Sequence, residues 1–205
     1  IETKFENPLE DIAIKSHEDI EKAAEKLREV WGLGSDSISN VIELLEDHHV
    51  KVLEIDSSEA FDGFSTWVNG NDIPLIVLNK SKFENKLDRK RFTAFHELAH
   101  LLLDVNGYEE KQKEKFCHAF ASAMLIPEYT LKQELGGKRS KLSITELGAI
   151  KQQYGISMQA LVYRAKNLGF ISDNYLKQFY MVFNQLGYRV NEPVDYKGME
   201  QSNRF

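Results

Sequence analysis

The sequence has little cysteine, little proline and no long apolar run, and each absence excludes a class of protein. Cys117 is the single cysteine in 205 residues, which rules out an internal disulfide framework and favours a reducing cytosol. The longest unbroken apolar run, residues 179–183, is five residues long, whereas a membrane span needs roughly 18. No signal-peptide pattern opens the chain. These features predict a cytoplasmic protein that does not enter a membrane.

The composition describes a globular protein without an excess of positive charge. Hydrophobic residues make up 42% of the chain and aromatic residues 11%, with only 12 glycines and 4 prolines, so one or two folded domains are expected. The formal net charge is −6, and the first 60 residues contain 6 basic and 16 acidic side chains. Such a chain is a poor general binder of nucleic acid, because that affinity depends on neutralising phosphates.

Hydrophobic spacing predicts that helices open the chain and that a small sheet follows them. Ser16 and Asp19 form a near capping box at the start of a helix over residues 16–31. A second helix is predicted over residues 38–47. Apolar runs then predict three strands of a small, mostly antiparallel sheet, over residues 50–55, 64–68 and 73–78, with turn chemistry at residues 69–72.

Helical periodicity returns after the sheet and continues towards the end of the chain. Asp88 can cap a helix over residues 88–104, and the next helix, over residues 110–126, stops at Pro127. Further on, two helices joined at Gly155 are predicted over residues 143–168, and one more over residues 174–187. The expected fold class is therefore α+β, with N-terminal helices, a small sheet and a helical C-terminal part.

The segment His96-Glu97-Leu98-Ala99-His100 carries the strongest chemical signal. Residues four apart share a helix face, so His96 and His100 can bind one metal ion. Glu97 is close enough to reach a metal-bound water but is poorly directed as a ligand, which is typical of zinc hydrolases whose carboxylate activates that water. A pair of surface histidines is the alternative, but the helix is otherwise apolar, and buried imidazoles without partners are costly.

A catalytic zinc site needs a third protein ligand, and Glu114 fits by its position. His100 lies about four residues before the end of its predicted helix, and Glu114 about four residues into the next. If the two helices pack antiparallel, both residues lie some 6 Å along the helix axes from the loop that joins the helices. Their side chains would then stand at matching heights. The competing carboxylates of Glu109 and Glu110 fall in the loop or at its edge. We therefore predict that Zn²⁺ binds to His96, His100 and Glu114.

The sequence resembles the ImmA/IrrE-type metallopeptidases in three runs, over residues 91–103, 114–121 and 124–127. Upstream, residues 24–34 and 38–52 are similar to the segment that precedes the catalytic region in members fused to a helix-turn-helix repressor domain. The resemblance implies a zincin-like, gluzincin-type metallopeptidase domain over residues 1–127 and a helical C-terminal subdomain over residues 128–205. It also implies zinc on His96, His100 and Glu114, with Glu97 as the catalytic base.

The resemblance further implies a biological role, which is to cut a helix-turn-helix repressor or an antitoxin-like regulator so that its target genes are released. Because the chain opens at Ile1 and its first 60 residues are acidic, we expect a DNA-binding domain to precede it in the native protein. This chain by itself should then bind DNA at most weakly, through Lys138, Arg139 and Lys141.

His118 departs from the family pattern, which usually has Asn or Asp four residues after the ligand glutamate. His118 could orient a ligand histidine, help to hold the transition-state oxyanion, or crowd the metal. Tyr108, Tyr163 and Arg164 could each polarise the scissile carbonyl, and nothing in the sequence selects among them. Cys117 is expected to be a buried apolar residue and not a ligand.

Residues 143–169 support a different function. A helix-turn-helix in this mildly basic region could enter a DNA major groove, although its second helix offers few base-reading side chains (Gln159, Arg164 and Lys166). A further alternative is a non-catalytic regulator in which the metal is structural or sensory.

A peptide substrate commonly adds as a strand to the edge of a sheet. The strand over residues 64–68 is the expected edge. Gly63, directly before it, permits close backbone approach.

Overall fold

The computed structural model describes residues 4–58, 60–70 and 72–204. In this part of the chain two helices are followed by three strands and then by six helices. The helices are α1 (His17–Val30), α2 (Val41–Asp47), α3 (Leu87–Leu102), α4 (Glu110–Leu125), α5 (Glu128–Leu135), α6 (Ile144–Tyr154), α7 (Met158–Asn167) and α8 (Asp173–Gln185). The strands are β1 (Lys51–Ile55), β2 (Gly63–Val68) and β3 (Ile73–Asn79), and a 3₁₀ turn follows at Lys80–Lys82.

Local side-chain bonds fix the starts of several helices. In α1, Ser16 and Asp19 form the reciprocal capping box, and Ser143 and Glu146 do the same in α6. Asp88 does not cap α3, because α3 begins one residue earlier with Lys86 in the cap position. Asp88 forms an ion pair with Lys151 (3.0 Å) instead, so that capping prediction is wrong.

The three strands form one sheet in the order β1-β3-β2. β2 pairs antiparallel with β3, whereas β1 pairs parallel with it. The sheet is thus mixed, and the expectation of a mostly antiparallel sheet is corrected. The reason is that β1 pairs with β3, which runs in the same direction, and not with β2, which follows β1 in the chain. Among the predicted turn residues 69–72, Asn69 and Gly70 have φ angles of 55° and 70°, and Asn71 lies outside the described residues.

α3 and α4 form the helix pair that carries the predicted metal ligands. A short connection joins them and they pack closely against each other, while α3 also contacts β2 and β3 and α4 also contacts α1. α4 ends at Leu125, just before Pro127, as the sequence predicts.

The C-terminal part consists of α5 to α8, of which α5 was not predicted. Pro127 precedes α5, and Gly136, with a φ angle of 69°, ends it; this pairing of Pro at the start and Gly at the end was the available signal. The α+β class is confirmed. The boundary between residues 127 and 128 stays a prediction. None of the helices in the described ranges combines the length and apolar character needed to cross a bilayer.

Candidate metal centre

The pairing of α3 with α4 brings the three predicted ligand side chains together. His96 Nε2 lies 3.2 Å from His100 Nε2 and 3.2 Å from Glu114 Oε2, and His100 Nε2 lies 3.1 Å from Glu114 Oε1. We call these three residues the ligand cluster. It is the one group of this kind among the described residues with ligand atoms within 4.8 Å of one another. Of the three carboxylates considered, Glu114 is the one that lies beside both histidines, and Glu109 and Glu110 are not members of the cluster.

The distances within the ligand cluster fit a tetrahedral metal ion. Bonds of 2.0–2.1 Å at tetrahedral angles place neighbouring ligand atoms about 3.3 Å apart, and the observed separations are 3.1 to 3.2 Å. Burial lowers the pKa of His96 to about 3, so its imidazole is neutral, which is the form that binds metals. Two nitrogens and a carboxylate are a donor set that suits zinc.

Glu97 lies beside the ligand cluster and is almost completely buried, with 8% of its surface exposed. Its Oε2 accepts a hydrogen bond from the Ser65 hydroxyl (2.8 Å). Burial raises the pKa of Glu97, although the bond from Ser65 opposes the shift. Ser65 belongs to β2, and no sequence signal distinguished it, because its contact with Glu97 depends on how the sheet packs on α3.

β2 approaches α3 closely because Gly63 has no side chain. A Cβ atom at Gly63 would lie 3.0 Å from Thr93 Cγ2 and 3.1 Å from the Val77 carbonyl oxygen. The sequence analysis expects Gly63 to admit a substrate strand, which stays a prediction; the neighbour that lies against Gly63 is α3. Gly63 and Thr93 line one side of a cavity of about 460 Å³, here called the cluster cavity. The ligand cluster and Glu97 line the same cavity.

His118 lies one turn after Glu114 on α4, beside the ligand cluster. Its ring is 4.4 Å from the ring of His96 and stacks on Phe92 at 5.7 Å between centroids. Burial lowers the pKa of His118, although Glu114 opposes the shift. His96 Nδ1 is buried and has no hydrogen-bond partner among the described residues, so the geometry does not support a role for His118 in orienting His96 through that nitrogen.

Three other candidates from the sequence are bonded elsewhere or fully buried. The Tyr108 hydroxyl donates to the Ile14 carbonyl (2.8 Å). The Arg164 guanidinium forms a two-point ion pair with Glu21 (2.7 and 2.8 Å), and Arg164 is only 3% exposed. Cys117 is fully buried, and burial raises its pKa to about 12. These residues are therefore not available to the ligand cluster.

The helix-turn-helix alternative places α7 in the position of a recognition helix. Most side chains of α7 are buried or half-buried, and those that are exposed belong to Tyr163 and Asn167. Arg164, one of the three base-reading candidates, is occupied by Glu21 and by the Ile126 carbonyl. The surface that α7 presents is poorly suited to reading bases.

The profile of the Peptidase_M78 family, described as the IrrE N-terminal-like domain, matches residues 45–166. This range covers more than half of the chain and contains the ligand cluster, Glu97 and Ser65. Comparison with curated proteins gives no match.

Proposed function

Because the chain belongs to the Peptidase_M78 family of IrrE-like metallopeptidases, we propose that it is a zinc-dependent endopeptidase that cleaves a regulatory protein. One observation carries the proposal: His96, His100 and Glu114 converge at metal-ligand spacing while Glu97, which is adjacent in sequence, lies buried beside them. A structural site would have no need of a buried carboxylate next to its ligands.

The roles of the side chains follow from their positions. His96, His100 and Glu114 would hold the ion. Zinc in this position supplies a Lewis acid that polarises the scissile carbonyl and makes water more acidic. Glu97 accepts a proton from the attacking water and delivers it to the leaving amine. The raised pKa of Glu97 favours this exchange, because a carboxyl group that is too acidic would hold the proton poorly.

Ser65 supports this role by holding the Glu97 carboxylate in one orientation through the bond to Oε2. The strand that carries Ser65 also offers a docking edge, since β2 pairs with β3 on one side and with no other strand in the described ranges. A substrate that adds to β2 would pass directly over the ligand cluster, with main-chain bonds supplying affinity.

The proposed substrate is a helix-turn-helix repressor or an antitoxin-like protein, and the proposed location is the cytoplasm, which the free thiol of Cys117 favours. DNA binding would belong to a domain that precedes this chain. The burial of α7 supports this division of roles. A mobility-shift titration of residues 1–205 should give no sequence-specific complex, and tight, salt-resistant binding to one DNA site would instead favour the helix-turn-helix alternative.

The test of the peptidase is co-expression with repressor-like proteins encoded nearby, with cleavage scored by mass spectrometry. Wild-type protein should produce one defined cut, and Glu97→Gln should abolish it while retaining zinc. A Glu97→Gln protein that still released repression as well as wild type would support the non-catalytic regulator.

A further inference from the structure

A second cavity opens beside the ligand cluster. It has a volume of about 480 Å³ and lies among α1, α4, α7 and α8. We call it the side cavity. Phe92 and His118 line both the side cavity and the cluster cavity, and their stacked rings form the wall that the two share. The side cavity therefore adjoins the cluster cavity at these two rings.

The side cavity is lined mainly by apolar and aromatic groups. They come from Phe92, Ala119, Ala160, Tyr163, Leu168 and Tyr180. The Tyr180 hydroxyl is already engaged with the Gln159 carbonyl (3.3 Å). The volume lies in the lower part of the range for pockets that bind organic groups, roughly 300–1,000 Å³. The walls thus suit a bulky apolar group.

The charged side chains that line the side cavity are either paired or exposed to solvent. Arg164 and Glu21 neutralise each other through their two-point contact, whereas Glu18, Lys115 and Glu128 are exposed. A charged occupant would have to compete with the Arg164–Glu21 pair and lose its hydration. An uncharged occupant is favoured.

The direction of β2 indicates which part of a substrate reaches the side cavity. β2 runs alongside α3, with Gly63 against Thr93 and Ser65 bonded to Glu97, so the Gly63 end of β2 lies near Phe92. A peptide paired antiparallel with β2, the slightly more stable arrangement, passes Ser65 before Gly63. The residue that follows the cleaved bond is therefore on the side of Phe92.

We propose that the side cavity receives the side chain of the residue that follows the cleaved bond, and that this side chain is aromatic or long and aliphatic. The inference rests on the proposed peptidase function and names the sequence preference of that site. α7 and α8 would then determine specificity, although they contribute nothing to the ligand cluster.

The test combines a cleavage assay with a binding assay. Wild-type protein loaded with zinc is given a peptide library, and the new N-termini are identified by mass spectrometry. Phe, Tyr, Leu or Met should predominate at these N-termini.

Ala160→Leu narrows the side cavity and should reduce the ratio of the cleavage rates of Phe and Ala substrates by about tenfold or more. Ala149→Leu is the matched control, because Ala149 is exposed on α6 and lies outside the cavity. Tyr163→Ala removes an exposed ring from the rim and should weaken the preference for aromatic residues without endangering the fold.

The binding assay separates this inference from the proposed function. Zinc-loaded Glu97→Gln protein is titrated with phenylalanyl-glycine amide and alanyl-glycine amide by NMR, and the Phe compound should bind about tenfold more tightly, with the difference lost in the Ala160→Leu background. Selective binding without any cleavage would refute the peptidase and retain the side-chain site. Equal binding of both compounds, or a cleavage preference that Ala160→Leu leaves unchanged, would refute the side-chain site.

Discussion

Replacing Glu200 by Gln should destabilise the protein severely, because it leaves a buried positive charge without its partner. Arg91 lies on α3, five residues before His96, and forms an ion pair with Glu200 in which both side chains have 0% exposure. Arg91 also donates to the Ile38 carbonyl (2.6 Å), and Glu200 accepts from the backbone N–H of Val41 (2.7 Å). The pair therefore fastens the C-terminal tail to α3 and to the start of α2.

The magnitude follows from this burial. Removing one partner of a buried ion pair costs about 3–5 kcal/mol, and Gln keeps the size and the Val41 bond, so the lost charge accounts for the effect. For a chain of this length each kcal/mol lowers the melting temperature by about 2–4 °C. Glu200→Gln should thus lower it by roughly 6–20 °C.

Urea unfolding followed by circular dichroism measures the free energy directly. Asp47→Asn is the matched control, since Asp47 and Arg204 form an ion pair (3.2 Å) with side chains 64% and 58% exposed, and exposed pairs contribute about 0–1 kcal/mol. A loss below about 1 kcal/mol for Glu200→Gln would refute the reasoning that Arg91 depends on this carboxylate.

Three further predictions concern α3, α4 and the edge strand. Gly63→Ala should cost about 1–3 kcal/mol of folding free energy in urea unfolding, because the new Cβ would press on Thr93. Gly107→Ala is the control and should cost little, since nothing lies within 4 Å of a Cβ at that position. Equal effects would contradict the close approach of β2 to α3. Ser65→Ala should reduce the cleavage rate by about tenfold to a hundredfold, because Glu97, the proposed base, loses its hydrogen bond from Ser65. The zinc content should not change, and an undiminished rate would remove Ser65 from the proposed mechanism. Burial raises the pKa of the Cys117 thiol to about 12, so this thiol should resist Ellman's reagent at pH 8 in the native protein and react fully after unfolding. Rapid labelling of the native protein would show that the surroundings of Cys117 on α4 are open to solvent.

Much of the centre could be predicted from the sequence because its determinants are local. His96, Glu97 and His100 lie within one turn of a helix, and Glu114 follows from the short reversal between two helices. The same holds for the capping boxes that begin α1 and α6.

The features that escaped prediction depend on contacts between distant segments. The parallel pairing of β1 with β3 is set by which side of β3 each neighbour occupies, and strand periodicity carries no information about that choice. Ser65 reaches Glu97 across 32 positions of sequence, and Asp88 pairs with Lys151 on α6 instead of capping α3. Glu200 meets Arg91 only because the tail returns to α3.

The central claim is that His96, His100 and Glu114 hold one zinc ion, and the most direct measurement is the zinc content per chain of purified variants by mass spectrometry after dialysis against a weak chelator. Wild-type and Glu97→Gln protein should each retain one zinc ion, and Glu110→Ala, which removes an exposed carboxylate one turn earlier on α4, should retain it as well. Glu114→Ala should lose most of its zinc, as should His96→Ala and His100→Ala, because a centre with three protein ligands loses its geometry when one is removed. Full zinc retention by Glu114→Ala would contradict the account.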